Sequence, residues 1–167
     1  MNFIDEKIYA LITGFTSQKA TTCMMIISFL GSATVLISLA IASIIIFRKN
    51  KIGLYITINL ATVFLLNRIL KMVIRRPRPN LIQIVPETGY SFPSGHTMVG
   101  TGFYGLCIYF IYKEIKNKAV KYSLITILVL LILLIGISRI YLRCALCNRC
   151  DWWMDIWTHV FSNINKK

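Results

Sequence analysis

The chain has 167 residues, 56% of them hydrophobic and only 15% charged, with a mean hydropathy of +0.66 and a formal net charge of +13. A water-soluble domain carries roughly a quarter charged residues, so this composition excludes an ordinary soluble domain. The positive charge taken alone suggests nucleic acid, but on so apolar a chain the lysine and arginine excess reads as membrane anchoring, with no nucleic-acid partner.

Residues 1–19 carry Asp5 and Glu6, a short apolar run and no small-residue cleavage site. They read as an interfacial amphipathic helix rather than a signal peptide. Four apolar stretches follow, at residues 20–47, 52–74, 97–112 and 122–142. A span needs roughly 20 mostly apolar residues, because the hydrocarbon core is about 30 Å thick and a helix rises about 1.5 Å per residue. The third stretch is short but is bounded by polar residues on both sides. Spanning segments must satisfy their own backbone hydrogen bonds, so the expectation is an all-α polytopic membrane bundle. It has an N-terminal interfacial helix, at least four spanning helices in a core at 20–142, and a tail at 143–167. Gly100, Gly102 and Gly105, in "GTGFYG", allow close helix approach in lipid.

The basic clusters are "RKNK" (48–51), "KMVIRRPRP" (71–79) and "KEIKNKAVK" (113–121). Successive loops alternate sides, so the first and third share one face and the middle one lies on the other. If the outer two are cytoplasmic anchors, Lys71, Arg75, Arg76 and Arg78 sit outside, against the positive-inside rule. An anionic ligand is the natural reason for cations there.

The loop carrying that cluster holds Pro77, Pro79, Pro86 and Pro93, so it is no continuous helix. Lys71 falls on the last turns of the second span, and Arg78 just after the break at Pro77. One is a mobile point charge, the other a planar fork that grips two phosphate oxygens. The bland alternative is a collar of snorkelling side chains at a helix end. At the mouth of the third span stands "PSGHT", residues 93–97. Ser94 and Gly95 would present backbone N–H groups at a helix N-terminus, where anions bind readily. Gly95 permits close approach of the ligand, and His96 could donate a proton. The bland alternative here is an ordinary serine N-cap with an exposed histidine. Arg139 arrives at the same face from the fourth span, and an arginine within an apolar span is a functional candidate by default.

Lys71-x6-Arg78-Pro79, then Pro93-Ser94-Gly95-His96, then Ser138-Arg139 resembles the three-part signature of the type 2 phosphatidic acid phosphatase and haloperoxidase superfamily. The likeness covers roughly residues 20–142. It implies a metal-free, cofactor-free phosphatase of a bacterial-type cell membrane. It would act on lipid phosphates or isoprenoid diphosphates at the extracytoplasmic face through a phosphohistidine. By that resemblance Lys71, Arg78 and Arg139 hold the phosphate oxygens, Ser94 and Gly95 complete the cradle, and His96 protonates the leaving alkoxide. Such a role split suits phosphoryl transfer, which depends mainly on positioning and charge stabilisation.

The third motif departs from the family. After Ser-Arg the family places a nucleophilic histidine and an orienting aspartate at spacings that fall here on Ala145 and Arg149. Three readings compete for the tail. Cys144, Cys147, Cys150 and His159 could form a zinc set. The chain could be an inactive relative that still binds phosphate. Or the tail could be out of frame, the preferred reading. Read one base later, the codons for Trp152, Trp153 and Met154 are forced to give Gly-Gly-Trp. Upstream codons permit a histidine and an aspartate at the family spacing. As written, residues 143–167 are too mixed to span, and very low turnover is expected. A non-catalytic binder of anionic lipid headgroups is the alternative from another class.

Overall fold

The computed structural model describes residues 17–48, 50–75, 89–90 and 92–142. The described residues form helices and no strand: α1 (Gln18–Leu30), α2 (Ala33–Ile46), α3 (Ile52–Ile74), α4 (Gly95–Glu114) and α5 (Lys118–Tyr141). Polar caps start three of them. Ser17 Oγ accepts from the Ala20 N–H, Ser32 Oγ from Val35, and Asn117 Oδ1 from Ala119 and Val120. Each satisfies donors that the first helical turn leaves without a carbonyl. The N-terminal segment before Ser17 and the tail after Leu142 lie outside the described residues, as does Arg78.

α4 is the central helix. Ten of its 20 residues are buried, against four of 23 in α3. It packs on α3, α5 and α2, while α1 lies along α5. Leu36, Ala40, Ile56, Leu60, Val99, Phe103, Tyr104 and Ile135 form the shared core. Large apolar side chains cover the outside, with Ile46 72% and Val73 73% exposed. In water so much bare apolar surface would drive aggregation, whereas hydrocarbon accommodates it. α3 and α5 are each long and apolar enough to cross a membrane, and the α1–α2 pair makes a third if counted as one span. α4 is enclosed by its neighbours and can therefore carry the glycines and threonines that lower its hydropathy.

The stretch 20–47 differs from a single continuous span: it is two helices that meet at 45°. Gly31 ends α1 and Ser32 caps α2. A Cβ on Gly31 would stand 2.9 Å from Ile135 Cγ2 and 3.3 Å from the His96 carbonyl oxygen. The corner therefore exists where the start of α4 is tucked against the chain, and only glycine fits there. Tyr104 Oη donates to the Leu30 carbonyl at 2.8 Å, satisfying an acceptor that the end of α1 would otherwise leave exposed.

Two further contacts lock the bundle. A Cβ on Gly102 would meet Val63 Cγ2 at 2.9 Å, so α3 and α4 do approach closely at this glycine of "GTGFYG". Asn59 Nδ2 donates to the Gly102 carbonyl at 2.9 Å across the same seam. Gly53 is tighter, since its Cβ would stand 2.6 Å from the Ser43 carbonyl oxygen and 2.7 Å from Ile44 Cα. Backbone cannot swing aside as a side chain can. Gly53→Ala gains up to about 1 kcal/mol of helix propensity but pays overpacking at the upper end of about 1–3 kcal/mol. The net loss of about 1–2 kcal/mol should lower the melting temperature in detergent by about 3–8 °C; an unchanged or higher value would contradict this packing.

Candidate active site

The "PSGHT" segment forms the first turn of α4, with Ser94 in extended conformation just before the helix. The Ser94 hydroxyl makes no capping bond to that turn. It accepts instead from Thr97 Oγ1 at 3.2 Å. An ordinary serine N-cap is therefore not what the motif builds. The first turn of α4 presents the positive end of the helix dipole at this point.

α3 lays its last turns against this helix start. The position a Cβ would take on Gly95 is 4.0 Å from Lys71 Nζ and 3.6 Å from Asn67 Oδ1. Lys71 is half-buried there, one turn from the end of α3. Asn67, four residues earlier on the same face, is only 5% exposed and donates from Nδ2 to Met98 Sδ at 3.3 Å. This polar contact joins α3 and α4 one turn before Lys71.

The other side of the turn faces the α1–α2 corner. Gly31 lies against the His96 backbone and against Ile135 of α5. One turn beyond Ile135, Arg139 is 3% exposed and donates from Nη1 to Ser28 Oγ at 3.0 Å. Ser28 is itself buried, on the last turn of α1. The sequence-derived residues Lys71, Ser94, Gly95, His96 and Arg139 therefore come from three helices whose ends converge at one end of the bundle. Among the described residues the sole carboxylate is Glu114, at the far end of α4. Cations gathered at a helix N-terminus are an arrangement suited to stabilising negative charge.

Four residues around the site were not read from sequence. Asn67 carried a usable signal, an amide inside an apolar span one turn before Lys71. Gly31-Ser32 also carried one, since such pairs mark kinks. Ser28 carried none; its role appears only when Arg139 is placed beside it. No group of three His, Cys, Asp or Glu side chains among the described residues could hold a metal ion. The candidate zinc set Cys144, Cys147, Cys150 and His159 lies outside them.

The sequence profile of the PAP2 superfamily matches residues 33–144, more than half of the chain. The chain belongs to the PAP2 superfamily. It is 35% identical over 123 residues to phosphatidylglycerophosphatase B of Bacillus subtilis (strain 168). That match covers 70% of this chain and 59% of the relative, so the chain spans less than two thirds of that relative's length. The fold is similar to the crystal structure of a transmembrane PAP2-type phosphatidylglycerolphosphate phosphatase from Bacillus subtilis, with a TM-score of 0.84 and 28% identity over 98% of this chain and 83% of that one. The profile match ends two residues beyond Leu142.

Proposed function

We propose that this chain has the architecture of a multi-pass membrane phosphatase for lipid phosphomonoesters, and that its third motif lacks the nucleophile. The observation that carries the reading is Lys71 Nζ lying beside Gly95 at the start of α4. It gives a phosphate a mobile cation and a ring of helix-end donors at once. Arg139 adds a planar fork and His96 the proton for the departing alkoxide. Arg78 joins them by motif. Each cation should contribute on the order of 2–4 kcal/mol to the transition state. The names of the curated relative and of the solved Bacillus subtilis structure favour phosphatidylglycerol phosphate as the lipid, over phosphatidate or undecaprenyl diphosphate. The bundle crosses the membrane four times with the site on the extracytoplasmic face, where the middle basic cluster then faces an anionic substrate.

Ala145 and Arg149 stand where the family has its histidine and aspartate. The chain as written therefore binds without completing transfer, and a frame shift after Leu142 accounts for the change. The second reading, a plain headgroup binder, is supported by the same loss. Orthovanadate separates the two, because as a mimic of pentacovalent phosphorus it draws on the attacking histidine. A version of the protein translated one base later after Leu142 should bind vanadate at least about 100-fold more tightly than the 167-residue chain. Equal affinities would favour the headgroup binder.

A further inference from the structure

An apolar groove of about 640 Å³ lies between α2 and α3. Ile37 and Ile41 line one wall, Phe64 and Leu65 the other, and Val99 of α4 lies at its back. It follows α3 from Thr57 to Met72, about 22 Å at ~1.5 Å per residue, which is deeper than one leaflet of a ~30 Å hydrocarbon core. Its one charged lining residue is Arg68. Arg68 stands three residues before Lys71 on the same helix, and among the described residues no hydrogen bond or ion pair engages it. Residues three apart are helix neighbours, so Arg68 and Lys71 set two positive charges close together along α3.

The order of groups along α3 matches the order of groups in one kind of lipid. Lys71 meets the start of α4, where the reactive monoester belongs; Arg68 comes one turn deeper, and the apolar groove continues beyond it. A lipid with two phosphates in series carries a terminal monoester, then a second phosphate, then its chains. We infer that Arg68 reads the second phosphate of such a lipid while one acyl chain lies in the α2–α3 groove, so that the site selects two-phosphate lipids over phosphatidate. This rests on the proposed function, since the monoester must occupy the Lys71–Gly95 cradle. The guanidinium fork grips a phosphodiester through two oxygens, and the groove accepts an apolar chain without leaving a polar group stranded.

Native mass spectrometry of the full 167-residue chain tests the inference, because the measured mass shows which lipid is retained and whether it is intact. The probes are three lipids with identical acyl chains, phosphatidylglycerol phosphate, phosphatidate and phosphatidylglycerol, with glycerol phosphate as a chain-free control. Wild type should retain the two-phosphate lipid best. Arg68→Gln should weaken that retention about 10- to 100-fold, as expected for loss of one charge-assisted pair, and leave phosphatidate within about twofold. Arg68→Lys, which keeps the charge, should recover part of the preference. Ala61→Phe, filling the groove, should weaken both phosphomonoester lipids and leave glycerol phosphate unaffected. If Arg68→Gln weakens phosphatidate equally, or weakens neither lipid, the inference is overturned. Lys71→Gln tests the underlying reading separately: retention of all three lipids unchanged would overturn the cradle itself.

Discussion

Translating the tail one base later after Leu142 should raise phosphate release from phosphatidylglycerol phosphate by at least about a thousandfold over the 167-residue chain. Removing a nucleophile from an intact site leaves only the rate that binding and charge stabilisation supply, and groups that act as a unit fail together. Here the cradle survives in the described residues, with Lys71 beside Gly95 and Arg139 buried against Ser28. On the proposed reading, the missing parts are a histidine at position 145 and an aspartate at position 149, where the sequence has Ala145 and Arg149. In the frame-corrected protein, His96→Ala should then cost about 10²–10⁴-fold, the usual contribution of a placed general acid. A corrected tail that restores no activity would show that the defect lies in the cradle and not in the tail. Release of phosphate is measured against the two chains in the same lipid bilayers.

Loss of Arg139 should have the second largest effect, and it should separate binding from stability. Arg139→Met removes the fork while keeping an apolar stem of similar length. Lipid-phosphate affinity should fall about 30- to 1,000-fold, corresponding to 2–4 kcal/mol. The melting temperature should stay level or rise. A buried arginine costs desolvation that a methionine of similar length does not, and the Ser28 hydroxyl that Arg139 engages is neutral. A residue kept for stability would show the reverse, a lower melting temperature with affinity preserved. Calorimetry and lipid titration on the same preparation read both quantities.

Much of the bundle was legible because each span is a long apolar run between polar markers. The stretch 52–74 coincides with α3. α5 begins four residues before the apolar stretch it contains, because Asn117 caps it and the helix continues through the lysines at 118 and 121. The same apolarity hid the break in 20–47, since hydrophobicity runs on through Gly31 and Ser32. The corner packs against Ile135 and the backbone of His96, both at least 65 residues further along, and no local pattern in that stretch records them. The proposed cradle was read where chemistry demands particular residue types at fixed spacing, at Lys71, Ser94, Gly95, His96 and Arg139, and the structure brings these positions to one end of the bundle. The cradle's supports were not read. Asn67 and Ser28 are single polar side chains in apolar helices, and their partners Met98 and Arg139 are distant in sequence.

The most direct test places the 167-residue chain in bilayers with phosphatidylglycerol phosphate and follows bound lipid and free phosphate together. Retention of the intact lipid, lost in Lys71→Gln, with no phosphate released beyond the protein-free rate, is the predicted result. Steady release of phosphate that His96→Ala abolishes would contradict it, because the chain would then hold a nucleophile that the third motif does not supply.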